Sequence, residues 1–424
     1  MPDLPVAVNL RFMREVNTAA VLTSLRELDP VSVGGLAEST GLSRQAVARV
    51  LDELQNDGLA EVLPPDRTER ASGRPAQQVR FRAEAGYVVG ALIDPQVIHL
   101  AVADLRGSVV ATSRAPLEAT PQDQHVLDLL VGETRALLDG AGISVADVWS
   151  ATVGAPGIID TETGVISVVP SMPVLTGDVL VAALGSYLSC PVYLDNDLKL
   201  ATRGELWKGI GVGARHLVVV HWGERVGAGI VIDGVLYRGA SNDAGDLGFL
   251  DILAGDVDPV PGLGRFESWV GVRALIHLAA DELETAGEGD RARAVREAGE
   301  AAFDTVLDGI LQQDRPLLAA IARLAGRFAH GLVALRTILD PELVILSGPL
   351  ARAGRPLLAA LHQSLTEQPL TPPTLRLSTL GRDAVVHGAL RHSLDQVEAG
   401  GYVHTERRPS AFSAGVPASP VLAD

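Results

Sequence analysis

Cysteine occurs once in the chain, at position 190, which excludes an intrachain disulfide and a thiolate zinc cluster. A lone thiol between an apolar helical stretch and a strand reads as a buried, inert side chain rather than a nucleophile. Lysine occurs only at 199 and 208, so nearly all positive charge is arginine, which reads as a bias of genomic composition. Positive charge of either kind is scarce: 35 Lys and Arg stand against 52 Asp and Glu, for a net charge of −17. That balance excludes a protein coated in nucleic acid along its length, but not a small DNA-reading module, which needs local charge only. Long apolar runs are missing too, each being broken by Gly, Asp or Arg before about 18 residues, so no membrane span is expected. The start MPDLPVAVNL lacks the basic flank and apolar core of a secretory leader, and a cytoplasmic protein is expected.

What is present suits a packed α/β protein. Apolar residues make up 47% and charged ones 21% of 424 residues, with 44 glycines; this length has room for two or three domains. The run NTAAVLTSLREL (17–28) has helical spacing. Ser32 can cap a short helix over 33–40 that Gly41 ends, and Ser43 a longer one over 44–56. The longer helix would bury Ala46, Val47, Val50, Leu51 and Leu54. A short helix, a glycine turn and an amphipathic helix are the spacing of a helix-turn-helix. Short strands in GLAEVL (58–63) and QQVRFR (77–82) flank PPDRTERASGRPA, a basic wing with Arg67, Arg70 and Arg74. At the recognition helix, Ser43, Arg44, Gln45 and Arg49 are the candidate DNA contacts, and Arg44, Gln45 and Arg49 can face base edges in a major groove. Wing arginines such as Arg70 and Arg74 suit phosphate or the minor groove. The alternative is a small protein-interaction domain with solvated arginines.

From residue 86 the pattern changes. Three consecutive strands are predicted over 88–94, 97–103 and 108–114, then a helix over 122–140 and a strand in VWSATVGAPG (148–157). A strand at 191–194 runs into Asp195-Asn196-Asp197 and a helix from near Asp197. The second half repeats the theme: strands over 216–222 and 227–234, a long helix over 317–338, a strand at 343–347, a helix over 352–365, a strand over 374–379 and a helix from 383. Two similar α/β lobes with a cleft between them follow. Residues 400–424 have tail composition and are expected to be disordered.

These segments together resemble the ROK proteins, a family of sugar-responsive repressors and sugar kinases, over about residues 11–395. GLSRQAVARVLDELQNDGL followed by SGRP (72–75) is similar to the winged helix-turn-helix of the repressor branch. VGAPGIID, YLDNDLKLATRGELWKG, VGAGIVIDGVLYRGASNDAGDLG and PELVILSG match the shared sugar-binding core in order and spacing. The resemblance implies an α/β, actin-like (ribonuclease H-like), two-lobed sugar-kinase fold behind a winged helix-turn-helix domain. The expected boundaries are 11–82 for the head, 86–200 for the first lobe and 201–398 for the second.

On the sugar side, the resemblance assigns hydroxyl contacts to Gly157, Asn196, Asp197, Asp246 and Glu267; in kinase members, Asp197 would also be the base. A ring of carboxylates and an amide suits a polyhydroxylated neutral ligand. Asp197 could instead only cap its helix, Asp246 tie down a turn, and Glu267 be a solvated helix residue. Asp195 is expected to face the strand end or solvent, and Ser171 stands where many relatives carry Asn after Pro170.

On the nucleotide side, the chain departs from the kinases. Their D-x-G-x-T hairpin is Asp94-Pro95-Gln96-Val97-Ile98 here, with bulk where phosphate needs open backbone. Their second phosphate loop is Gly223-Glu224-Arg225-Val226-Gly227, which sets a carboxylate close to a triphosphate. The later glycine-rich contact is Leu346-Ser347-Gly348-Pro349. ATP use is therefore not expected, and no residue is assigned a catalytic role unless the chain is a kinase, when Asp197 would carry it. The four zinc-ligand positions of many relatives fall on Phe249, Asp258, Val260 and Arg265, so no structural zinc is expected. The expected function is a homodimeric, sugar-responsive DNA-binding regulator, a repressor by family pattern, with association of two dimers left open. A sugar kinase that retains a DNA-binding head, and a constitutive DNA-binding protein without ligand, are the alternatives.

Overall fold

The computed structural model describes residues 10–64, 77–117, 123–169, 172–251, 260–366 and 371–402. In the head, helix α1 (Leu10–Glu27) buries Val21, Leu22 and Leu25. After strand β1 (Val31–Ser32), the Ser32 hydroxyl accepts the Gly35 N–H at 3.1 Å and starts α2 (Val33–Thr40), which Gly41 closes at φ 70°. Ser43 caps α3 (Arg44–Asn56) by accepting the Ala46 N–H at 3.2 Å. Each cap satisfies a donor that the first helical turn leaves unpaired, a contribution of about 1 kcal/mol. Val47, Val50, Leu51 and Leu54 are buried on one side of α3. Strands β2 (Ala60–Val62) and β3 (Gln78–Phe81) complete a sheet of order β1-β3-β2. The wing tip, with Arg67, Arg70 and Arg74, lies outside the described residues.

The body holds two five-stranded sheets. In the first, β4 (Tyr87–Asp94), β5 (Val97–Asp104) and β6 (Val109–Pro116) form an antiparallel meander. After α4 (Asp123–Ala141), strand β7 (Val148–Ala155) runs parallel to β4. A small hairpin of β8 (Ile158–Asp160) and β9 (Val165–Val168) and helix α5 (Val179–Leu188) lead to β10 (Val192–Asn196), parallel to β7. The strand order is β10-β7-β4-β5-β6. Helix α6 (Asp197–Trp207) then crosses to the second sheet.

That sheet repeats the plan. Its meander is β11 (Leu217–Trp222), β12 (Val226–Ile232) and β13 (Val235–Tyr237). Helices α7 (Arg265–Val270), α8 (Val272–Thr285), α9 (Gly289–Ala298), α10 (Phe303–Leu311) and α11 (Arg315–Leu339) follow. Strand β14 (Leu343–Ser347), helix α12 (Gly354–Thr366) and strand β15 (Thr374–Leu377) give the order β13-β12-β11-β14-β15, and α13 (Asp383–Ala399) ends the fold. In both sheets, two parallel strands extend the meander from the side of its first strand. Helices α7 to α10 fill a stretch in which no element is predicted. Their burial repeats at helical spacing, as in Leu275, Leu278, Ala279 and Leu283 of α8.

One face of the first sheet packs on α4 and α5, with Val89, Val153, Leu130 and Leu184 in a shared core. The other face, with Val88, Leu92 and Ala101, meets Ala389, Leu390 and Leu394 of α13 and Val21, Leu25 and Phe81 of the head in one continuous core. The second sheet covers one face with its own helices, where Val218 and Val220 meet Phe266, Phe328 and Leu361. Its other face, with Leu217, Val219, Val231 and Ile345, receives Leu206 of α6. Helix α6 thus lies between the sheets.

Two expectations are corrected here. Helix α13, placed by chain order in a second lobe of 201–398, packs on β4, β7 and α6, because its apolar stripe fits the face of the first sheet that α4 and α5 leave open. Of the tail expected to be disordered from 400, Tyr402 is buried among head residues, and residues 403–424 lie outside the described ones. Helix α11 alone among the described residues is long and apolar enough by length and composition to cross a membrane. Its buried Leu317, Ile321, Leu324, Phe328 and Leu332 belong to the core of the second sheet, which accounts for that apolarity.

Candidate functional site

The β10–α6 junction brings three polar side chains into different roles. Asn196 is the helix cap: its Oδ1 accepts the N–H groups of Leu198 (3.0 Å) and Lys199 (3.2 Å). Its Nδ2 donates to the Gly157 carbonyl at 3.1 Å, and Gly157 turns at φ 109°, where a side chain would be strained. Asn196, expected to contact sugar, is therefore engaged in holding helix and turn, with one amide hydrogen left to donate.

Asp195, expected at the strand end or in solvent, is only 1% exposed. Both faces of the first sheet are covered, so neighbouring strand residues can both be buried. Arg238, just after β13, grips the Asp195 carboxylate with both terminal nitrogens, Nη1 at 2.9 Å. The same Nη1 donates to Asn242 Oδ1 at 2.9 Å, and Asn242 Nδ2 donates to the Ile159 carbonyl at 3.0 Å. This chain ties the second sheet to the first. The buried Lys199 adds a second tie by donating to the Ala244 carbonyl. Burial pulls the Lys199 pKa down, while the charges of Asp246, Asp195 and Asp243 oppose it.

Asp197 has no capping role beyond accepting the Leu198 N–H at 2.7 Å. Burial pushes its carboxyl up to about 6, and the charges of Asp94 and Asp195 add to that rise. Asp246 is exposed on the loop after β13, its carboxyl raised by partial burial and by Asp243. Lys199, Arg225 and Glu267 lie within electrostatic reach of it. Glu267, expected to bind sugar, is buried: Oε1 accepts the Val226 N–H and Oε2 the Gly264 N–H, both at 2.9 Å. Its carboxylate fixes the starts of β12 and α7, so here it holds backbone. Lys199 thus lies within electrostatic reach of both Asp195 and Asp246, and Glu267 of Asp246, while Asn196 is engaged by Gly157 and by its own helix start and Glu267 by the backbone of β12 and α7.

The two turns that the family resemblance sets at phosphate are held by side chains of this chain. Asp94 Oδ1 accepts the N–H groups of Gln96 (2.8 Å) and Val97 (3.0 Å). Arg382 reaches over this turn to Asp94 Oδ2 (3.4 Å) and to Gln96 Oε1 (2.8 Å). In the second turn, Glu224 reaches the start of α8, where it accepts the Arg273 N–H at 3.1 Å and pairs with the Arg273 side chain at 3.0 Å. Burial nevertheless raises its pKa. Ser347 Oγ donates to the Val220 carbonyl at 3.0 Å. Of the positions aligned with zinc ligands, Phe249 is exposed, Val260 offers no donor side chain, Arg265 pairs with Asp251 at 3.1 Å, and Asp258 lies outside the described residues. Phenyl, isopropyl and guanidinium groups do not ligate zinc, so the site does not fit that ion.

On the head, Arg44, Gln45 and Arg49 are exposed along α3 while Ser43 caps it; Arg70 and Arg74 lie outside the described residues. Lys199, Arg238 and Asn242 lie within the segments that carry the family resemblance but are given no role by it, and Arg382 lies outside them. Only the rarity of lysine singles one of them out.

A model of the ROK family matches residues 93–395, and one of the MarR family matches residues 15–71. The chain belongs to the ROK family and carries a winged helix of the MarR type ahead of the actin-like body. It is 24% identical over 361 residues to a xylose repressor of Caldicellulosiruptor bescii, covering 85% of this chain and 90% of that one. Against the DNA-binding transcriptional repressor Mlc of Escherichia coli the identity is 23% over 364 residues, covering 84% and 87%. It is also 25% identical over 309 residues to a glucokinase of Halalkalibacterium halodurans, covering 71% and 93%. The fold matches a solved ROK family transcriptional regulator with a TM-score of 0.74 at 19% identity, covering 92% of this chain and 97% of that one.

Proposed function

We propose that the chain is a sugar-responsive DNA-binding transcriptional repressor whose kinase-like body senses rather than phosphorylates. The supporting observation is that a head presenting Arg44, Gln45 and Arg49 shares one apolar core with the sheet whose strand β10 ends at Asn196, next to Asp197. The names of the repressor relatives agree with it. The protein acts in the cytoplasm as a homodimer on a pseudo-palindromic operator, since paired heads read paired half-sites. It needs no zinc and no ATP. A neutral sugar gives hydroxyl hydrogens to Asp197 and Asp246, while Asn196 offers its remaining N–H.

Fluorescence anisotropy on DNA from the protein's own upstream region, at fixed salt, tests this reading. Arg44→Ala/Arg49→Ala is expected to weaken specific binding at least about 30-fold, because each base-edge contact contributes about 1–3 kcal/mol. Wild-type binding no tighter than to random DNA would sink the repressor reading. The second reading, a sugar kinase with a DNA-binding head, is favoured by the raised pKa of Asp197, which suits a base near neutral pH. It requires sugar-dependent ADP formation that disappears in Asp197→Asn.

A further inference from the structure

We propose that α13 carries the state of the sugar site to the DNA-reading head through a ladder of alternating charges, Arg203–Asp395–Arg391–Glu398–Arg26. The inference rests on the repressor reading for its purpose, though the ladder itself is a matter of geometry.

The ladder starts on α6, the helix whose first residue is Asp197. Arg203, on the following turns, pairs with Asp395 of α13. Asp395 is shared with Arg391 at 2.7 Å, and Arg391 holds Glu398 at 2.6 Å. Glu398 receives Arg26 of α1 at 2.7 Å, and Arg26 also donates to the Tyr402 hydroxyl. Arg391 in addition lies over the ring of Trp207, the last residue of α6, 5.6 Å from its centroid. At the far end the Tyr402 ring meets Phe81 of β3 edge-on at 6.1 Å, and Arg26 lies over both rings. One charged row therefore runs from the helix that begins in the sugar site to both a helix and a strand of the head.

The packing beneath the ladder leaves little slack. A Cβ at Gly204 of α6 would sit 2.0 Å from the Ala384 carbonyl oxygen, and one at Gly388 of α13 would sit 1.8 Å from that of Leu200. The two helices touch backbone to backbone, with no long side chain between them to absorb a shift. On another face of α13, His392 Nδ1 lies 3.0 Å from the Thr152 hydroxyl, and its ring meets Tyr193 of β10. A displacement of β10 and α6 as the lobes close on a sugar thus moves α13, because packed interfaces shift between discrete arrangements rather than deform smoothly. Arg391 and Arg26 are shielded, at 17% and 18% exposed, so salt screens them less than a surface pair. Burial alone would raise the Glu398 carboxyl, yet the hydrogen bonds and charges of Arg391 and Arg26 outweigh it and hold the pKa down.

The test uses the full chain, with Arg203→Gln and Asp395→Asn as variants at the sugar-site end. Both side chains are partly exposed and neither touches the proposed sugar contacts. D-xylose, D-glucose and N-acetyl-D-glucosamine are the probes, and the coupling factor is the ratio of operator Kd with and without sugar. Each variant is expected to keep its sugar Kd and its sugar-free operator Kd within about threefold. The coupling factor is expected to shrink at least about fivefold, while Arg203→Lys, which keeps a cation opposite Asp395 and leaves the Asp395–Arg391 pair intact, retains most of it. Hydrogen exchange without sugar supplies an independent arm. Amides of Leu22–Glu27 and Gln78–Phe81 are expected to exchange at least about fivefold faster in Arg203→Gln. Wild-type coupling in both Arg203→Gln and Asp395→Asn, or wild-type exchange in the head, overturns the ladder. If none of the three sugars changes operator affinity in the wild type, the sugar-responsive reading loses its support, and the exchange result decides the ladder alone.

Discussion

In each five-stranded sheet, the turn between the first two meander strands holds a carboxylate and an arginine, but the two turns are closed in different ways. Asp94 folds back on its own turn and accepts two of its N–H groups, with Arg382 laid over the top. Glu224 reaches out of its turn to the first residues of α8 and pairs with Arg273 there. The first turn is rebuilt from within, and the second is tied to its helical layer. The outer faces differ in parallel. The second sheet is covered by helices from its own half, whereas the first shares its core with α13 and the head. A duplicated plan has thus been divided, one half being built into the DNA reader and the other packed on itself.

Core substitutions should break that symmetry most visibly. Leu390 and Phe328 are both fully buried, one in the core shared with the head and one in the core of the second sheet. Truncation to Ala is expected to cost about 2–5 kcal/mol for Leu390 and about 3–5 kcal/mol for Phe328, from lost transfer energy and the cavity left behind. Hydrogen exchange resolves where the loss falls. Leu390→Ala should accelerate exchange in α1 and β3 along with β4. Phe328→Ala should accelerate exchange in α11 and β11 and leave the head protected. Equal loss of head protection in both variants would show that the two halves unfold as one.

How far these features are legible in the sequence follows the range of the interactions behind them. Ser32, Gly41 and Ser43 act within four residues of themselves, and the helices they bound lie at 33–40 and 44–56, as expected. The repeated strand pattern reveals the two sheets for the same reason, since alternation and turn residues are local. Asp195 is different. Nothing within the stretch VYLDND distinguishes it from Asp197, and its burial depends on Arg238, 43 residues further on. Asn196 and Glu267 carry the expected residue types, but their hydrogen-bonding capacity is engaged by backbone groups that only the folded chain brings near. The place of α13 is likewise decided by which sheet face stands open.

The Asp195–Arg238 pair offers the next largest effect, because it crosses between the halves. Arg238→Ala would leave a nearly inaccessible carboxylate without its counter-charge, a loss of about 3 kcal/mol. The double variant Asp195→Leu/Arg238→Met, apolar at both ends, is expected to recover most of that stability while loosening the junction that presents Asp197. Denaturant midpoints of the three proteins check this. A single variant as stable as the wild type would mean that the pair does not hold the halves together.

Asp197 turns the comparison of the two turns into a titration. Its carboxyl is raised to about 6 by burial, with Asp94 among the further causes, whereas Glu224 is not. A carboxyl whose folded pKa lies above its unfolded value of 3.8 binds its proton more tightly in the native state. The native state is therefore favoured as pH falls from about 6 toward 3.8, and the ionised group costs about 3 kcal/mol above pH 6. Asp197→Asn should accordingly stabilise the protein at pH 7–8 and flatten its stability between pH 4 and 6, as denaturation across that range would report. Sugar hydroxyls donate to the ionised form, so affinity should hold above about pH 6 and fall up to about tenfold per unit below it. Asp94→Asn should shift that midpoint downward by removing a negative neighbour, and Glu224→Gln should leave it in place. Equal shifts in both variants would mean that the two turns act on Asp197 alike, and the division between the halves would not extend to the site.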